Sequence, residues 1–336
     1  MKTLLAVCIT LIGPRLAMSA EGDRPGSRFV PSDFAHTYSI IAFDSATGEF
    51  GAAVQSHWFR VADVIWAEPG VGVVATQSLV DFAYGPVGLS LMRNGRNASQ
   101  ALEGLLASDP QRAVRQVAMI DSRGNLSQHT GARCIDEAGH THGRAGSVIF
   151  ACQANLMERN TVWPAMARAF SASTGPLARR LYVALEAAEA EGGDIRGRQS
   201  AALFVTASRS NGQIWRDRTI DLRVDDSPEP LRELARLLNV AFAYDHMNKG
   251  DDFTAVNDLV SANREYGVAA SLQPANAEVL YWQAVTLVTT GHVDDALPVF
   301  ASAFKIEPRW RALTPRLVKA ELLPDDSVLI ARILSQ

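Results

Sequence analysis

Thr37 heads an apolar, strand-like run, TYSIIAFD, directly after the polar, proline-containing stretch EGDRPGSRFVPSDFAH. A threonine hydroxyl is a poor nucleophile until a base takes its proton. The α-amine of the same residue can do so once freed, since its ordinary pKa is about 7.7–8.0. Such acyl transfer needs a break between His36 and Thr37; without it, Thr37 merely begins a strand. Ser56 closes the next run, EFGAAVQS, so a hairpin would set it near Thr37, in a shared proton network or as a plain strand end. Gln77 and Tyr84 are further polar candidates of this kind. Asn155 follows the run SVIFACQ and offers either an amide donor to an oxyanion or an N-cap for the segment beginning LMERN. The stretch GGDIRGRQS holds Asp194, Arg198, Gln199 and Ser200 in a glycine-flanked loop leading into a strand. An arginine there presents a fork suited to a carboxylate or phosphate, with Asp194 and Ser200 in support. The other reading is a structural loop held by an Asp–Arg pair.

Other reactive side chains point to less. His140 and His142 are two apart, which on a strand puts both imidazoles on one side, but no third ligand lies nearby and no metal is expected. No cofactor is expected either. Cys134 and Cys152 form a disulfide in an oxidising compartment or remain two separate thiols.

The elements that would position these residues follow from period and punctuation. TYSIIAFD and EFGAAVQS, joined by SATG, read as a hairpin. GVGVVATQS is a third strand. GPVGLSLMRNG changes to helical spacing, with Val87 and Leu91 on one stripe and Pro86 in the first turn. NASQALEGLLASDP follows with a capping box at Asn97 and Gln100. RQVAMIDSRGNLSQHTG reads as a hairpin turning at SRGN, and AGSVIFACQAN as a strand. Two helices are expected, one within 156–172 and one from GPLARR to Gly192-Gly193, before SAALFVTAS and TIDLRVDD return to strand. The order implies an α+β layered domain over 37–225.

DDSPEP at 225–230 reads as a linker, and 231–336 as wholly helical. Leu280, Ala284, Leu287, Ala296, Phe300, Ala303 and Pro308 follow the small–large–small pattern of a tetratricopeptide helix pair. A register 34 residues earlier gives Gly250, Phe253, Ala262, Tyr266, Ala269 and Pro274. Two such pairs need another surface to lean on.

The chain has 336 residues, is 47% hydrophobic and 20% charged, and carries a net charge of −4. That composition is globular, and it offers neither the basic face that nucleic acid needs nor one for an anionic membrane. Residues 1–20 read as a secretory signal: Lys2, the apolar LLAVCITLIG, then small residues ending in Ser19-Ala20. The apolar run is too short to span a bilayer. Residues 21–36 form a leader. The product is expected to be exported, periplasmic or extracellular, and free of the membrane after signal removal.

TYSIIAFDSATGEFGAAVQSHW, GVGVVATQS, AYGPVGLSLM, QVAMIDSRG, HTGARCIDEAGH, QANLM and GGDIRGRQSAALFV together resemble the bacterial family known as domain of unknown function 1028. The resemblance runs in order over 37–225. It implies the N-terminal-nucleophile (Ntn) hydrolase-like fold, a four-layer αββα sandwich, followed here by an all-α tetratricopeptide-like region. It implies that Thr37 attacks an amide carbonyl; joined to the residue readings above, this sets Ser56 and Asn155 beside it and gives Asp194, Arg198, Gln199, Ser200, Gln77 and Tyr84 to a small substrate, with Arg198 reading an acidic group on it. The alternative is a non-catalytic anion-binding or assembly protein on the same fold. The helical region would then dock a protein partner; a homodimer is the default oligomer.

Overall fold

The computed structural model describes residues 34, 35 and 37–336. The expected signal peptide and all but two residues of the leader lie outside the described residues. Asp33–Gln336 form one compact unit.

Two antiparallel sheets face each other. In the first, strand β1 (Phe34–Ala35) and strand β4 (Ile65–Glu68) both pair with β5 (Gly72–Leu79), which continues to β6 (Arg115–Asp121) and β7 (Leu126–Thr130). The second runs in the order β11 (Arg218–Val224), β10 (Ser200–Thr206), β3 (Phe50–Ser56), β2 (Thr37–Asp44), β9 (Val148–Ala154) and β8 (Gly139–Ala145). The chain therefore passes from the first sheet to the second between Ala35 and Thr37.

Side chains alternate across each strand, so every central strand feeds two cores. Ile41, Phe43, Phe50, Ala52, Val54, Val73, Ala75, Ala118, Ile120, Ala151, Ala202 and Phe204 fill the space between the sheets. Tyr38, Ile40, Ala42, Ala53, Cys152 and Leu203 point the other way, into helices α3 (Val162–Ala172) and α4 (Leu177–Ala190). Val74, Val117 and Met119 meet α1 (Tyr84–Arg93) and α2 (Ala98–Ser108) on the outside of the first sheet.

The buried face of α1 is Tyr84, Gly85, Gly88, Leu89 and Met92. Val87 is exposed, so the helix is rotated from the stripe that Val87 and Leu91 suggested. Gly85 and Gly88 explain the rotation: they let α1 settle where a Cβ at Gly85 would stand 2.2 Å from the Trp66 ring. The capping box at α2 is formed, with Asn97 accepting from the Gln100 N–H and Gln100 reaching back. Helix α3 begins at Val162, after an irregular turn, so Asn155 caps no helix.

Beyond Pro230, which sits in the first turn of α5 (Pro230–Ala255), the chain is helical. The α5 residues Leu231, Leu234 and Leu238 belong to the same core as α3, α4 and the second sheet. Helices α6 (Leu259–Leu272), α7 (Ala277–Thr289) and α8 (Val293–Ile306) follow, each packed on the one before. Gly250 abuts the Tyr266 ring, and Ala284, Ala296, Phe300 and Ala303 are buried in a cluster around Tyr281. No helix among the described residues is long and apolar enough to cross a membrane.

Candidate functional site

The inter-sheet space changes character along its length. At one end it is aliphatic and aromatic; at the other, the same strand faces carry amides and hydroxyls. On β2 the inward series runs Phe43, Ile41, then Ser39 and Thr37. Both Ser39 and Thr37 are fully buried, as are Gln77, Gln116, Gln153 and Asn155.

Glutamines stitch the two sheets together here. Gln77 Nε2 on β5 donates to the Thr37 carbonyl on β2 (2.8 Å) and to Gln116 Oε1 (2.7 Å). Gln116 Nε2 on β6 donates to the Ala154 carbonyl on β9 (2.9 Å), the Gly139 carbonyl (3.1 Å) and Thr130 Oγ1 (2.9 Å). Gln128 Nε2 on β7 donates to the Cys152 carbonyl (3.1 Å), and Gln153 Nε2 on β9 to the Ala75 carbonyl (3.3 Å). Ser39 Oγ donates to Gln77 Oε1 at 2.6 Å. Asn155 donates its backbone N–H to the Thr37 carbonyl (3.2 Å) and its Nδ2 to Gln116 Oε1 (3.0 Å). The seam reaches solvent at Thr130 Oγ1, 2.7 Å from Nδ1 of the exposed His140. Burial, then the charges of His142 and His129, hold the His140 imidazole below its usual pKa.

Three atoms on this seam have no hydrogen-bond partner among the described residues: Thr37 Oγ1, Gln153 Oε1 and Gln128 Oε1. Buried polar atoms are ordinarily paired, and leaving one unpaired costs about 1–3 kcal/mol. The orphaned hydroxyl of Thr37 is therefore a feature the fold retains at a cost.

Of the residues singled out in the sequence, the structure gathers Thr37, Ser56, Gln77 and Asn155. Ser56 is directly opposite Thr37 in the β2–β3 register, and Ser200 directly opposite Ser56 on β10. Three hydroxyl side chains thus lie in a row across three strands. Ser200 holds the turn after β3, accepting from the Val61 N–H (3.1 Å) and donating to the Trp58 carbonyl. Asp194 supports that turn too, accepting from the His57 N–H (3.2 Å) while pairing with Arg196 (2.7 Å).

Arg198, Gln199 and Tyr84 stand apart. Arg198 is held by Glu189 and by Glu229 (2.9 Å). Glu189 also accepts from the Tyr38 hydroxyl (2.7 Å), and Tyr38 is on the face of β2 opposite to Thr37. Burial and the adjacent Glu189 push the Tyr38 phenol well above its ordinary pKa. Gln199 donates its backbone N–H to the Ser56 carbonyl, while its amide turns outward to Asp226 (3.2 Å). Tyr84 donates to Asp109 (3.1 Å) under α1. Cys134 and Cys152 are buried, unpaired thiols, and burial raises the pKa of each. No group of three or more metal-ligating side chains occurs among the described residues.

Sequence reasoning missed Ser39, Gln116 and Gln153. A signal was present: VATQS, RQVAM and ACQAN each place one glutamine at the end of an apolar strand, and period 2 turns each toward the buried side. Only the assembled sheets show that these ends coincide.

The family of unknown function DUF1028 matches residues 37–234. The chain belongs to this family. The match starts at Thr37 and extends into α5. The crystal structure of protein SPO2555 from Silicibacter pomeroyi, assigned to DUF1028, is similar at 30% identity and a TM-score of 0.54, over 62% of this chain and 89% of that one. No curated protein matches the chain.

Proposed function

We propose that this DUF1028 chain is an exported amide hydrolase of the Ntn type, with Thr37 as nucleophile, on a four-layer αββα sandwich extended by tetratricopeptide-like helix pairs. One observation carries the proposal: the Thr37 hydroxyl is buried and unpartnered among the described residues, on a residue whose carbonyl accepts from Gln77 and Asn155. The family match beginning at this same residue supports it. Once the bond to His36 is broken, the α-amine stands on the same residue as the hydroxyl and takes its proton during attack. The new C–O bond places a negative charge on the former carbonyl oxygen, and Asn155 Nδ2 is the donor we assign to receive it. Collapse breaks the C–N bond, the proton passes to the leaving nitrogen, and water then cleaves the ester. Ser56, facing Thr37, would share this proton network.

The described hydrogen bonds of the seam join amides, hydroxyls and backbone groups, and end at His140. Arg198 is committed to two carboxylates on the far face of β2, so recognition of an acidic substrate through it finds no support. The reading is accordingly for an uncharged amide. A β-lactone, which acylates activated hydroxyls, tests it. The processed protein should gain one adduct, mapped by mass spectrometry to Thr37 and lost in Thr37→Val. An adduct elsewhere, or none on protein that begins at Thr37, would overturn the proposal.

A further inference from the structure

The outer side of β5 is shared by two short strands. β4 covers it from Gly72 to Ala75, and β1 covers it at Ser78 and Leu79. Among the described residues, the upper half of this edge is thus closed by Phe34 and Ala35, the residues that lead into Thr37. A strand edge presents alternating N–H and C=O groups that accept another extended segment with little regard to its side chains.

We infer that the β5 edge at 76–79 is a binding slot for an extended polypeptide, added antiparallel as a strand, and that β1 is its occupant in the unprocessed chain. The slot ends at Thr37, because β1 runs along it in the direction that brings the chain to that residue and across to the second sheet. A segment in the place of β1 therefore delivers a backbone amide to the Thr37 hydroxyl. The substrate class is an unfolded or extended peptide rather than a small free amide. This rests on the hydrolase reading for what happens to the bound amide, but the binding itself does not need Thr37 to react. Recognition runs through backbone groups, so it should depend little on salt.

The test uses a fluorescein-labelled peptide of sequence RFVPSDFAH, residues 28–36, and the full chain. In a Phe34→Pro, Ala35→Pro variant, neither residue can donate to β5, which frees the slot. With Thr37→Val added to keep β1 attached, fluorescence anisotropy should show saturable binding to this variant, at least tenfold tighter than to the chain carrying Thr37→Val alone. Such binding, with no β-lactone adduct on protein that begins at Thr37, would retain the slot and reject the hydrolase. Equal binding to both chains, or none to a variant whose thermal unfolding is intact, would overturn the slot. Should the proline pair fail to fold, Phe34→Gly with Ala35→Gly loosens β1 through backbone entropy and is read by the same assay and criteria.

Discussion

The hydroxyl of Thr37 offers a test that needs no substrate. Replacing it by the isosteric valine removes a buried polar atom that has no partner among the described residues, so Thr37→Val should stabilise the chain by about 1 kcal/mol in urea unfolding. A loss of stability instead would mean the hydroxyl is already satisfied. Gln116 predicts the opposite. Its amide serves Thr130, Gly139 and Ala154 and receives Gln77 and Asn155. Gln116→Leu keeps the volume but orphans several buried groups, and should cost about 3 kcal/mol in the same measurement. His140 gives a pH dependence. Its pKa in the folded chain is depressed, so its contribution to stability is present above the unfolded value and is lost as pH falls below about 6.5. His140→Gln should therefore narrow the drop in melting temperature between about pH 7.5 and pH 5. An unchanged drop would show that the imidazole titrates normally. That Thr37 and Asn155 stand at neighbouring strand ends was legible in the sequence, because each follows or opens an apolar run. Arg198 was read toward a substrate because its partners, Glu189 and Glu229, are far away in the chain and no local pattern announces them.

At the scale of elements, close packing through glycine makes the sharpest prediction. α1 sits on β4 because Gly85 has no side chain against Trp66. Gly85→Ala should force the rigid indole aside and cost about 1–3 kcal/mol, despite the better helix propensity of alanine. A neutral result in thermal unfolding would show that α1 can slide. Strands β2, β3, β5, β6, β9 and β10 were readable as apolar runs bounded by turn residues. β4 was not, because IWAE is short and lies beside a 3-10 turn. β8 was not either: GHTHGRA contains few strand formers and owes its conformation to pairing with β9. Here tertiary context overrides local propensity.

At the scale of the whole molecule, α5 joins the helical region to the sheets. Leu231, Leu234 and Leu238 lie in the core against α3 and α4. Truncation after Asp258 keeps them; truncation after Glu229 exposes what they cover. The shorter chain should lose about 5 kcal/mol or fail to fold, at about 1.5–3 kcal/mol per buried leucine, while the longer one keeps a cooperative transition. Equal behaviour of the two would place α5 outside the sandwich core. Composition placed a linker at 225–230, where β11 has ended at Val224 and α5 begins at Pro230. It did not reveal that the first helix belongs energetically to the preceding layers, since a leucine stripe does not name its partner. The nucleophile assignment itself stands or falls on where the functional chain begins. Intact mass and N-terminal sequencing of the protein recovered from the medium or periplasm of an exporting host should give a chain starting at Thr37. A population that begins upstream of His36 and still reacts with the β-lactone would contradict the assignment.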